Sequence, residues 1–176
     1  ADRRRAYRPF DTGWQTTKLI VNRLVPGRHV MKIIVTAVSL VLSLVAVAQD
    51  IERLNPAGMT QPTAYTHVVR HENLLFIAGQ VSTDGDGNVI GEGDMRAQVR
   101  QVHENLKAVL ASQGADFGNV TKITIYTTDI DAYIETGDVR REYWTEGAPA
   151  STLVQIERLA RPVFLVEIEA MAIAPD

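Results

Sequence analysis

The sequence predicts an α+β fold: one sheet with two helices packed on a single face. Three observations lead there. Met95, Val99, Val102, Leu106, Val109 and Leu110 recur at helical spacing and draw one apolar stripe. Val120 to Thr127 alternates, with Ile123 and Ile125 opposed to Lys122, Thr124 and Tyr126. Strand-forming runs flank these segments on both sides, giving the order ββαβαββ.

Taken in order, Tyr65-Thr-His-Val-Val and Asn73-Leu-Leu-Phe-Ile-Ala78 are β-rich runs. The polar Arg70-His-Glu72 between them signals a hairpin. Asp84-Gly-Asp-Gly-Asn88 is a turn cluster. Its acidic spacing faintly resembles a calcium loop but lacks the bidentate Glu at the required distance, so a solvated turn is the better reading. The first helix runs from about Asp94, a plausible cap, to Gln113, with Gly114 as its stop. After the strand at 120–127, Asp129-Ile-Asp131 opens a second helix to about Trp144, and Gly147-Ala-Pro149 breaks the chain. Ser151–Glu157 and Val163–Ile173 then form a C-terminal hairpin, the second strand dense enough in apolar residues to be central.

The chain has 176 residues, which suits one domain plus an extension. Residues 1–30 show no period and receive no function. Residues 31–48 read as a secretory signal peptide. Lys32 precedes an apolar stretch from Ile33 to Ala48, and Ala46-Val-Ala48 offers small residues where a signal peptidase reads. The stretch is 16 residues, short for a membrane span, which needs about 20. The expected product is exported, starts near Gln49 and meets the membrane only through that segment. If the segment does not function, the protein is cytoplasmic. Residues 49–176 form the single folded domain.

Charge divides along the same line. Residues 1–48 carry eight Lys/Arg against two acids, whereas the remainder carries 10 basic residues against 19 acidic. An acidic body argues against binding a phosphate backbone, so no nucleic acid is expected. The chain has no cysteine, which excludes disulfides, thiolate nucleophiles and cysteine-based zinc sites. His67, His71 and His103 show no metal-ligand spacing. His67 and His103 read as structural or exposed, His71 as a turn residue. No nucleophile elbow suggests a serine hydrolase.

The residues at the corners of this order carry a resemblance. They are Tyr65, the Phe76-Ile-Ala-Gly-Gln80 strand end, Gln101-Val-His-Glu-Asn-Leu106, Val120-Thr-Lys-Ile-Thr-Ile-Tyr126, Pro149-Ala-Ser-Thr-Leu-Val154 and Leu165-Val-Glu-Ile-Glu-Ala170. Together they resemble the RidA/YjgF family over roughly residues 54–174. The resemblance implies a chorismate-mutase-like fold assembled as a homotrimer with a barrel-like centre and active-site clefts between subunits. It implies hydrolysis of enamines and imines to 2-oxo acids and ammonia, with no cofactor and no metal.

That reaction needs a cation for the substrate carboxylate, an acceptor to hold the attacking water, and a wall to orient the substrate plane. By resemblance, Glu167 holds the water, Tyr65 is the wall and Gly79 lets backbone approach the ligand. The family's substrate-binding arginine falls on Ser151, so Ser151 and Thr152 are the candidate substrate contacts on that strand. Ala78 stands where deaminating members often have serine, and Gly137 where they have asparagine. A serine hydroxyl offers one neutral donor where a charged hydrogen bond is worth about 1.5–3 kcal/mol. Weak or absent activity on 2-imino acids is therefore expected; Arg158 and Arg161 read as solvated surface residues of the C-terminal hairpin, with a substitute cation from a neighbouring subunit as the lesser alternative. Glu167 and Glu169, at i and i+2, share one strand face; the resemblance makes Glu167 functional and Glu169 structural. Two further readings remain: a non-catalytic trimer that binds a metabolite or protein, and, more weakly, a ribonuclease or translation inhibitor.

Overall fold

Asp94 and Gly114 bracket the longest element among the described residues. The Asp94 carboxylate accepts hydrogen bonds from the amides of Arg96 and Ala97, satisfying donors that the first helical turn leaves free. Gly114 adopts φ +69°, the left-handed conformation that ends a helix without Cβ strain. Between them helix α1, Met95–Ser112, buries Met95, Val99, Val102, Leu106, Val109 and Leu110 along one stripe. This computed structural model describes residues 51–175. The extension at 1–30 and the signal-like segment at 31–48 lie outside the described residues.

Among the described residues six strands form one sheet: β1 (Glu52–Leu54), β2 (Val68–His71), β3 (Leu74–Gln80), β4 (Val120–Thr127), β5 (Ala150–Gln155) and β6 (Val166–Ile173). Their spatial order is β1-β2-β3-β6-β4-β5. The mixed α+β class stands, and β1 is an addition to the expected order. Three residues give too short a run to show alternation, and this strand exists by pairing with β2. The hairpin turn sits at Glu72-Asn73, two residues later than the polar run suggested, because His71 already pairs with Leu74. Glu72 takes φ 55° there.

Two expectations are corrected. The second helix, expected over 129–144, is two short helices, α2 (Ile130–Ile134) and α3 (Gly137–Arg141). Thr136 separates them: its hydroxyl donates to the Tyr133 carbonyl at 2.7 Å, competing with the helical ladder just before Gly137. The expected C-terminal hairpin also does not form. Strand β4 lies between β5 and β6, antiparallel to β6 and parallel to β5. The crossover through α2 and α3 makes the parallel pairing possible.

Helix α1 packs on the sheet face made by Ile123, Ile125, Val166, Ile168, Ala170 and Ala172. Ion pairs from Arg96 to Asp138 and from Arg100 to Glu142 tie α1 to the α3 region. The opposite face carries no helix among the described residues. It exposes Leu74, Phe76, Met171 and Ile173 beside Glu167 and Glu169.

Candidate active site

The alternation of β6 fixes the site. Val166, Ile168, Ala170 and Ala172 point into the core, so Glu167 and Glu169 must both point to the open face. Tyr126 pairs with Glu167 and Thr124 with Glu169 across β4, so the same face holds their side chains. The Tyr126 hydroxyl donates to Glu169 Oε1 at 3.3 Å.

Strand β3 supplies the other wall. Ile77 pairs with Ala170 and Gln80 with Ile168, so three steps on β3 oppose two on β6. The extra residue is a β-bulge at Ala78-Gly79, a device that re-aims the chain beside a site. The Glu167 carboxyl lies directly against Gly79. A Cβ at position 79 would stand 2.6 Å from the carboxyl carbon and closer still to Oε1. Only glycine leaves room for the acid where it lies.

Glu167 is half-buried, and its pKa is pushed above the usual carboxylate range, first by burial and then by the charge of Glu169. No ion pair reaches it among the described residues. A carboxylate so placed is a stronger proton acceptor than an exposed one and costs less to protonate.

Tyr65 stands at the mouth, 50% exposed. Its ring meets the His67 ring edge-on at 5.5 Å. His67 is buried: its Nε2 lies 3.0 Å from the Thr60 carbonyl and its backbone amide donates to Asn55 Oδ1. Buried Gln80 donates to the Ala78 carbonyl at 2.7 Å, fixing the bulge from below. Tyr65, Gly79 and Glu167 thus line one cleft of about 280 Å³, together with Ala78, Val81, Ala160, Arg161 and Phe164. Among the described residues no three His, Cys, Asp or Glu side chains group as a metal site.

A family model described as Endoribonuclease L-PSP matches residues 58–174. A solved structure from Yersinia pestis, described as the Rid family protein YyfA, superposes with a TM-score of 0.66 at 26% identity, covering 71% of this chain and all of that one. The chain belongs to the RidA/YjgF family. Its relatives include a RutC family protein of Pyrococcus horikoshii, 40% identical over 108 residues, which are 61% of this chain and 85% of the relative. Another is the 3-aminoacrylate deaminase RutC of Acinetobacter baylyi, 32% identical over 122 residues, 69% of this chain and 96% of the relative.

Within this RidA/YjgF chain, the candidate residues fall into two groups. Tyr65, Gly79 and Glu167 come together in the cleft. Ser151 and Thr152 lie elsewhere, exposed on the edge strand β5, opposite Ile123 and Thr124. Lys122 Nζ donates to the Thr152 hydroxyl at 2.7 Å. Asp84, in the turn cluster, accepts from the amides of Asp86 and Asn88 and from the Asn88 side chain, an Asx turn. His67 and His103 are both buried.

Sequence reasoning missed Gln98. It is fully buried on α1, and its Nε2 donates to the carbonyls of Gly91 and Val163 while its Oε1 accepts from the Leu165 amide. One side chain thereby pins the irregular segment before β6 to the helix. Its only sequence signal is a polar residue on the apolar stripe, one step from Val99.

Proposed function

We propose that this chain is a hydrolase of small imines or enamines, working in a cleft completed when copies of the chain assemble. The observation that carries the reading is the half-buried Glu167 carboxyl pressed against the Gly79 bulge, with Tyr65 at the mouth. The deaminase name of the Acinetobacter relative supports the same chemistry.

In this reaction the Glu167 carboxylate accepts a hydrogen bond from water and aims its oxygen at the imine carbon. The water oxygen forms the new C–O bond as its proton passes to Glu167. That proton passes to the nitrogen, giving a carbinolamine; the hydroxyl proton then moves to the nitrogen as the C–N bond breaks, and ammonia leaves behind a carbonyl compound. Nothing is oxidised or reduced. The raised pKa of Glu167 suits a group that must take and return a proton.

Self-association is part of the proposal, in the form of a homotrimer. Leu74, Phe76, Met171 and Ile173 expose apolar surface on the open sheet face, which invites burial. Among the described residues strand β5 has a free edge that carries Ser151 and Thr152, and a neighbouring copy would bring such an edge to the Glu167 cleft. Sedimentation equilibrium tests this: a trimer is expected, and a stable monomer refutes it.

Ala78, Ser151 and Gly137, in place of the family's serine, arginine and asparagine, favour a second reading, a trimer that binds a small metabolite without turning it over. Ammonia release from freshly generated 2-aminoacrylate and from imines lacking a carboxylate separates the two. Release above buffer on either supports the hydrolase, and none on both supports the binder. The ribonuclease reading is disfavoured by the acidic body. RNA cleavage that is salt-sensitive and lost in Glu167→Ala would revive it. Export through residues 31–48 is likewise proposed, and a mature amino terminus near Gln49 in secreted material tests it.

A further inference from the structure

We propose that Arg161 is the anion-recognising residue of the Glu167 cleft, so that the substrate carries a carboxylate received from the segment preceding β6 rather than from β5. This rests on reading that cleft as the site of hydrolysis.

Four observations converge. Arg161 and Glu167 line the same cleft within one chain. Arg161, like most arginines of the described residues, forms no ion pair among them, so its charge is free to meet a ligand. Its guanidinium lies over the Phe164 ring, 5.2 Å from the centroid, and that ring is buried. The segment is fixed rather than loose. The Phe164 amide donates to the Arg161 carbonyl at 3.1 Å, and Gln98 clamps Val163 and Leu165 on either side of Phe164.

Most exposed arginines are merely solvated. This one lies over a buried ring, in a cleft where no carboxylate is within ion-pair reach of it. Arg161 and Glu167 line one cleft yet stand too far apart to pair. The gap between them is the place for a molecule with an anionic end and a hydrolysable end. A guanidinium binds a carboxylate through two parallel hydrogen bonds, which orient as well as attract. The cleft volume of about 280 Å³ suits a substrate of few heavy atoms. Arg161 would therefore do the work that Ser151 cannot, from a different element of the fold. The substitute cation then need not come from a neighbouring subunit.

The test pairs binding with turnover. Pyruvate, the carbonyl product of 2-aminoacrylate hydrolysis, is titrated calorimetrically into the full chain and into Arg161→Ala, Arg161→Lys and Glu167→Gln. Arg161→Ala is expected to weaken pyruvate binding roughly 10- to 100-fold, with Arg161→Lys intermediate and Glu167→Gln still binding. Turnover of a carboxylate-bearing imine should fall in Arg161→Ala by a similar factor, and by clearly more than turnover of an imine without a carboxylate. If the wild type binds pyruvate through Arg161 but hydrolyses neither imine, the hydrolase reading fails and this inference stands. Equal pyruvate binding by wild type and a folded Arg161→Ala would overturn it, as would no saturable binding by the wild type.

Discussion

Substituting Gly79 by alanine perturbs the site through a single methyl group. The new Cβ would stand 2.6 Å from the Glu167 carboxyl carbon, against the 3.4 Å at which ordinary van der Waals contact begins. The carboxyl must therefore retreat by about 0.8 Å, and Oε1 by more. It can do so, because the clashing atoms are the end of a flexible side chain and not backbone. Gly79 itself does not sit in the left-handed region, so alanine adds no backbone strain. Stability should thus change by less than about 1 kcal/mol, since the lost entropy of the unfolded chain offsets part of the crowding. Catalysis should not be spared. A misplacement of about 1 Å in a catalytic group costs on the order of 100-fold in rate. The assay is ammonia release from an imine substrate, with thermal unfolding run on the same preparation. A folded Gly79→Ala protein with wild-type kcat/KM would refute the role given to the Glu167 carboxyl position.

Three further outcomes follow from the same structure. Gln98→Leu strips partners from the Val163 carbonyl and the Leu165 amide. It should destabilise the fold by about 2–4 kcal/mol by chemical denaturation and lower activity more than an equally destabilising core change such as Ile123→Val. The acid limb of the pH–rate profile should lie above the usual carboxylate range, with rate rising as Glu167 loses its proton; Glu169→Gln removes the neighbouring charge and should move that limb to lower pH. His103 is buried with its Nε2 unpartnered, and burial lowers its pKa from 6.5 to about 4. A depressed histidine stabilises the fold above its unfolded pKa, so stability should decline as pH falls from 6.5 toward 4, by no more than about 3 kcal/mol; His103→Phe should flatten that dependence in denaturation curves taken across this range.

Local chemistry explains which parts were legible in the sequence. Asp94 and Gly114 bracket α1 to within a residue because a cap and a left-handed glycine are short-range devices. The spacing of Glu167 and Glu169 was enough to assign them one face. Nonlocal choices were not readable. Nothing in β5 says that it will lie parallel to β4 and apart from β6, since that is decided by which strand edge is free. The split of the second helix turns on one hydroxyl, that of Thr136. Arg161 reads as an arginine of the C-terminal hairpin, and it shares a cleft with Glu167 in a segment pinned by Gln98, 67 residues before Leu165. Ser151 and Thr152 were named from resemblance alone, and within one chain they stand apart from the cleft.

The most direct test of the central claim is the rate of ammonia release from freshly generated 2-aminoacrylate and from an imine without a carboxylate, measured for the assembled wild type and Glu167→Gln. The account predicts turnover above buffer on at least one of them by the wild type, and a loss of roughly 100- to 10,000-fold in a folded Glu167→Gln variant. Wild-type rates in Glu167→Gln, or no turnover of either substrate by the intact protein, would contradict it.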